Sequence, residues 1–126
     1  MTARPRYPRS SCCVLGCRRT STLFKREWMC GEHWRMANRA NRLFYRKHMH
    51  KLYRRWEKLD AFADEAEARF NASVLPDGRF LMADLDEVTA ADNARKLAAA
   101  KFCRTDALMW ARLKRQVTDR ALGISA

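Results

Sequence analysis

Three cysteines and one histidine near the start of the chain have the spacing of metal ligands. Cys13 and Cys17 form a Cys-x3-Cys pair; after twelve intervening residues, Cys30 and His33 form a Cys-x2-His pair. A tetrahedral zinc ion needs four such donors, and a short loop inside each pair lets two side chains reach one ion. Soft thiolates with one imidazole fit zinc rather than a hard, oxygen-seeking cation. Four protein ligands close the coordination sphere, so the expected role is structural, because a catalytic zinc keeps a water-bearing position. Cys12 offers a competing register, Cys-x4-Cys with Cys17. Cys13 is preferred because Cys13-Val-Leu-Gly-Cys17 places a conformationally free glycine just before the second ligand. The plainer alternative is a set of unliganded thiols with His33 on a helix surface. Cys103 sits in an apolar helical stretch and is expected to be a small buried hydrophobe. His48 and His50 point about 200° apart on a helix and cannot share an ion.

The elements that position these ligands follow from periodicity. Cys30 and His33, three apart, fall on one face of the first turn of a helix. From Gly31 to Phe70 there is no proline and no further glycine. Apolar residues recur at Tyr45, Met49, Leu52, Trp56, Leu59, Ala63, Ala66 and Phe70, alternating steps of four and three. That is the seam of a helix packed against another helix. A long basic-to-amphipathic helix is predicted over 31–71, roughly 60 Å of rod for nearly 40 residues. The same register read backwards meets Arg42, Asn38 and Arg35, so the seam turns basic towards the ligands. Pro76-Asp77-Gly78 marks a turn within 72–83.

A second helical region is predicted over 84–122, beginning near Asp84 or Thr89. Each is followed three residues later by an acid, as in a capping box. Its apolar positions include Leu85, Val88, Ala91, Ala98, Phe102, Met109, Leu113 and Val117, and Thr105-Asp106 can cap a separate last helix. The expected fold is mainly α: a zinc-binding knuckle at 12–35 leads into a long helix, which forms an antiparallel helical hairpin with one or two C-terminal helices. It counts as one domain, preceded by a flexible basic arm at 1–11. The stretch Thr20–Met29 can hold a small hairpin between the ligand pairs, with Phe24 and Trp28 covering the metal. Two helices leave their apolar stripes incompletely covered, Tyr53 and Trp110 among them, which points to a homodimer.

Charge identifies the class of partner. The net charge is +12, but residues 1–58 hold 16 Lys and Arg against three acids, and residues 59–126 hold 10 against 11. The whole surplus lies beside the ligand pairs, so a polyanion, DNA or RNA, is the expected partner. Arg35, Arg39, Arg42, Arg46, His50 and Arg54 recur at three- or four-residue steps, broadened by Lys47, Lys51, Arg55 and Lys58. Only Glu32 and Glu57, at its ends, offset this stripe, whereas an ordinary solvated helix mixes the signs. The candidate nucleic-acid contacts are Arg18, Arg19, Lys25, Arg35, Arg39, Arg42, Arg46, Lys47 and Arg54. Asn38 and Asn41 can read base edges, though helix-surface amides are commoner. Trp34, Phe44 and Tyr45 can stack on bases, though each can equally pack internally. The first residues lack the apolar run of a secretory signal, and no stretch reaches the ~20 apolar residues of a membrane span. A cytoplasmic protein with reduced thiols is expected.

The string Cys13-x-x-Gly-Cys17 … Cys30-x-x-His33-Trp34 resembles a short zinc-binding element of small phage and prophage proteins and some phage nucleases. It is also similar to a treble-clef finger, whose second ligand pair opens a helix. The resemblance covers about residues 12–35 and implies a structural zinc in a nucleic-acid context, with no activity implied for the rest. Two other function classes stand beside nucleic-acid binding: an adaptor or inhibitor engaging a host nucleic-acid-processing protein, and a nuclease. The nuclease reading needs a catalytic constellation. Asp60, Asp64, Glu65 and Glu67 have the look of a helix surface without a convergent base, so no catalytic residue and no enzyme is expected.

Overall fold

The computed structural model describes residues 9–21 and 27–123. Phe24, Lys25 and most of the basic arm lie outside them. The elements are two short strands, β1 (Ser10–Ser11) and β2 (Thr20–Ser21), and three helices, α1 (Gly31–Met36), α2 (Arg39–Ser73) and α3 (Met82–Ala121). The strands pair antiparallel, Ser10 opposite Ser21 and Ser11 opposite Thr20. This hairpin brackets the first ligand pair; the small hairpin expected over Thr20–Met29 falls largely on residues outside the described ones. The mainly helical fold, with a long helix packed on a C-terminal helix, is as the periodicity predicts.

Two helix boundaries differ from the expectation. The helix predicted over 31–71 is interrupted at Ala37, whose backbone is extended (φ −67°, ψ 150°). Asn38 starts α2 afresh by accepting the Ala40 N–H on its side-chain oxygen at 2.8 Å, the role of an N-cap. The groups freed by the break are met from α3. Gln116 Oε1 accepts the Asn38 N–H at 2.8 Å, and the Arg120 guanidinium donates to the Met36 carbonyl. No periodicity in α1 or α2 announces these partners, because they come from a distant part of the chain.

The second difference is that α3 is one unbroken helix. Asp106 does not cap a new helix; it accepts the Tyr45 hydroxyl. Thr89 does not cap either: it lies inside α3, and its hydroxyl donates to the Leu85 carbonyl at 3.0 Å. Between α2 and α3 the chain turns through Pro76-Asp77-Gly78. Gly78 takes a left-handed φ of 86°, and its N–H donates to the Leu75 carbonyl at 2.8 Å.

The chain divides into two compact units, one comprising the residues up to Phe44 and from Met109 onwards, the other Tyr45–Leu108. The second unit is an antiparallel helical hairpin. As residue number rises along α2 it falls along α3, from Tyr45 with Asp106 and Tyr53 with Phe102 to Asp60 with Arg95 and Arg69 with Glu87. All eight seam residues of α2 are buried or half-buried. At its centre Ala63, Ala66 and Ala91 pack with Val88, small side chains that let the helices approach closely. Arg95 occupies a position between the apolar residues of α3, held by Asp92 and by Asp60 at 3.3 Å. Cys103, expected to be buried, is exposed: its neighbour Phe102 takes the place facing α2. In the first unit Leu113 and Val117 of α3 are almost wholly buried, and Trp110 stacks on Trp34 with centroids 6.4 Å apart.

Candidate metal centre

In the first unit the backbone converges on four donors. After β1, Cys12 forms an isolated parallel bridge with Trp28; its N–H bonds the Arg19 carbonyl at 2.9 Å and the Cys13 N–H the Trp28 carbonyl at 2.7 Å. The chain then bends at Cys13 and Val14 and turns at Leu15 and Gly16. Cys12 and Val14 are buried, both 6% exposed, while Cys13 is half-buried. Gly16 then takes a φ of 85°, a left-handed conformation that L side chains resist, and so delivers Cys17 back towards Cys12. Cys30 stands at the N-cap of α1, its carbonyl accepting the Trp34 N–H at 2.9 Å, and His33 follows on the first turn.

Cys12, Cys17, Cys30 and His33 place their ligand atoms within 4.8 Å of one another. Cys12, rather than the expected Cys13, thus stands with the other three donors. Glycine before Cys17 serves either register, so it could not discriminate between them; the contacts of Cys12 Sγ with the Cys30 N–H and His33 Nδ1 do. Zinc–sulfur bonds of ~2.3 Å and zinc–nitrogen bonds of ~2.0 Å would set tetrahedral edges of about 3.5–3.8 Å. The observed separations bracket that range: 3.9 Å for Cys17 Sγ to Cys30 Sγ, 3.5 Å for Cys12 Sγ to His33 Nδ1 and 3.1 Å for Cys30 Sγ to His33 Nδ1. The four donors therefore lie close enough together to hold a metal ion.

The electrostatics favour thiolate at the deepest ligand. Burial pushes the Cys30 thiol up, but the His33 N–H and the side chains of His33, Cys17 and Cys12 outweigh it and bring Cys30 down to about 7. The Cys30 N–H also donates to Cys12 Sγ at 3.4 Å. At Cys17 the Arg19 N–H favours thiolate, but burial and the neighbouring Cys12 and Cys30 sulfurs leave the thiol raised. Cys13 is raised too, chiefly by burial and then by Cys12, with Lys114 opposing.

No family model, curated protein or solved structure matches this chain. The site is accordingly read from its own chemistry.

The expected nucleic-acid contacts divide into four groups. Arg18, Arg35, Arg39, Arg46, Lys47 and Arg54 are exposed, and the last five project from α1 and α2. Arg42 is half-buried, its Nε enclosed without a hydrogen-bond partner among the described residues. Arg19 is committed to the metal element: it pairs with Glu32 at 2.6 Å, and its Nη1 lies 4.0 Å from Cys30 Sγ. Lys25 falls outside the described residues. Two contributors escaped the sequence reading, Arg19 as a charge partner of Cys30, and Lys114, whose ammonium pairs with Glu27 at 2.6 Å. Glu27 and Glu32 were the available signal, as two of the three acids in the basic half. No described helix is long and apolar enough to cross a membrane.

Proposed function

We propose that this chain is a small nucleic-acid-binding protein whose binding segment is held by a structural zinc ion at Cys12, Cys17, Cys30 and His33. The observation that carries the reading is that four soft donors converge at the start of the arginine-rich helical segment. That segment lies in the half of the chain that holds the entire charge surplus. Three thiolates and an imidazole at tetrahedral spacing suit zinc, and four protein donors leave no position for a substrate. The ion would hold Cys12 and Cys17 of the hairpin to the first turn of α1. Exposed Arg35, Arg39 and Arg46, with Lys47 and Arg54, then offer cations to phosphates, and Arg18 adds one from the knuckle. Phosphate neutralisation releases counterions and gives affinity with little sequence preference.

Salt titration of DNA and RNA binding tests this directly. A log–log slope of about −0.9 per phosphate contact on duplex DNA is expected, shallower on single strands. Replacing exposed Arg35, Arg39 and Lys47 together with alanine should flatten the slope while leaving the helical circular-dichroism signal in place. Binding that is absent at low salt, or unchanged as salt rises, sinks the proposal.

A further inference from the structure

The helical hairpin at Tyr45–Leu108 carries a groove lined by none of the proposed phosphate contacts, although Arg55 at its side also belongs to the basic stripe. Its floor is Leu52 and Leu59 of α2 with Ala94 and Ala98 of α3, and it encloses about 280 Å³. Leu97 stands at its side with 72% of its surface exposed, and Arg55 and Lys101 flank it, both exposed. No acidic side chain lines it. Helical spacing continues this character along both helices. Lys51, Arg55, Lys58 and Phe62 follow one another at four, three and four residues on α2; Leu97, Lys101, Arg104 and Leu108 do the same on α3. Phe62 and Leu108 are exposed large hydrophobics, 48% and 75%. A separate cavity of the same hairpin is lined by Asp64, Glu67 and Asp92 together with Arg95 and Lys96, so the acids of the unit that line a cavity stand beside cations there and not in the groove.

We propose that this groove docks an acidic amphipathic helix of another protein, apolar side chains on its floor and carboxylates against Arg55 and Lys101. Helix-in-groove recognition reads apolar residues at i, i+3 or i+4, and i+7, and charge at the rim sets the partner. Charge complementarity decides among the possible occupants. A second copy laid groove to groove by a two-fold axis would bring Arg55 and Lys101 against their own kind with no acid to offset them. A phosphate backbone would satisfy the cations but leave the leucine and alanine floor, and Leu97, without a counterpart. Only an acidic amphipathic helix meets both features.

The test uses the full chain and fluorescein-labelled synthetic peptides of about 15 residues, roughly 22 Å as a helix. One peptide carries leucines at helical spacing flanked by glutamates, a second scrambles the same composition, and a third keeps the leucines with lysine flanks. Fluorescence anisotropy should show the glutamate peptide binding at least about tenfold more tightly than either control. Leu97→Glu should weaken it about tenfold or more, and Lys101→Glu should weaken it while improving the lysine peptide. Both substituted side chains are exposed, so circular dichroism of the two variants should match the parent. Failure of the glutamate peptide to bind, equal binding of the scrambled peptide, or indifference to Leu97→Glu overturns the proposal. So does sedimentation showing a dimer that Leu97→Glu dissociates, which would make the occupant a second copy. Oligonucleotide binding lost as fully in Lys101→Glu as in the Arg35, Arg39 and Lys47 triple variant overturns it too, by assigning the groove to nucleic acid. A flat salt dependence for oligonucleotides would by contrast strike only the nucleic-acid proposal, because the peptide measurements do not depend on it.

Discussion

Cys12 and Cys13 are chemically identical neighbours, yet only Cys12 reaches the other donors. Its ring of contacts is short-range and directional: its sulfur faces His33 Nδ1 at 3.5 Å and takes the Cys30 N–H at 3.4 Å. The consequence is a clean pair of variants. Cys12→Ser should abolish stoichiometric metal in protein purified without added zinc, and Cys13→Ser should retain it; elemental analysis of both distinguishes them. Structural zinc contributes on the order of 10–16 kcal/mol in small finger peptides, so loss of one ligand should also disorder the knuckle. Gly16 supports the same geometry through its backbone alone. A Cβ there would meet nothing within 4 Å, so the penalty of Gly16→Ala is purely the left-handed φ, about 1–2 kcal/mol. Competition with a chromophoric chelator should report that as weaker metal binding. The ligand types and their two-pair spacing were legible in the sequence. Which of the two adjacent cysteines joins the cluster was not, because both registers fit the spacing and the choice depends on which sulfur faces Cys30 and His33 across the fold.

Helix α2 is where the sequence reading succeeds most fully and also where it misses a feature. Steps of four and three pick out all eight residues that turn inward, because a helical period maps directly onto a face. The seam's centre is held by size as much as by hydrophobicity. Ala66 is 2% exposed against Ala63 and Ala91, so Ala66→Leu overpacks the contact and should destabilise the protein by about 1–3 kcal/mol in urea denaturation. Ala68→Leu, on an exposed position of the same helix, should be close to neutral. The break before α2 has its own signature. Asn38 caps the helix, and Asn38→Ala should cost about 1 kcal/mol of stability, while Asn38→Asp or Asn38→Ser should recover most of it. Asparagine in a basic helical run reads locally as a surface amide. Its capping role emerges only because Gln116 and Arg120, some eighty residues later, accept and supply the hydrogen bonds that the break exposes.

Across the whole molecule, none of the four ligands belongs to the Tyr45–Leu108 hairpin, whose packing rests on its alanine core, Tyr53 with Phe102, and Asp60 with Arg95. Removing metal with a chelator should therefore leave most of the helical circular-dichroism signal intact. Limited proteolysis should then cut first between β1 and α1, where the ligands hold the chain; early cleavage within α2 beyond Tyr45 would contradict this. The Arg95 network adds an acid-sensitive contribution. Lys96 and then Arg95 hold the Asp92 carboxyl below its usual value, so its stabilising effect is present at neutral pH. It is lost as pH falls below the ordinary aspartate range, and Asp92→Asn should cost stability at pH 7 but little near pH 2. The sequence by itself determined the helical class, the buried seams, the turn and the pairing of soft donors, because each is set by composition or by a period a few residues long. Tertiary structure decided which cysteine joins the donor cluster, where the long helix breaks, which arginine lies beside that cluster and which apolar residues stay in water. Each of those depends on partners far apart in the chain, and no local period records them.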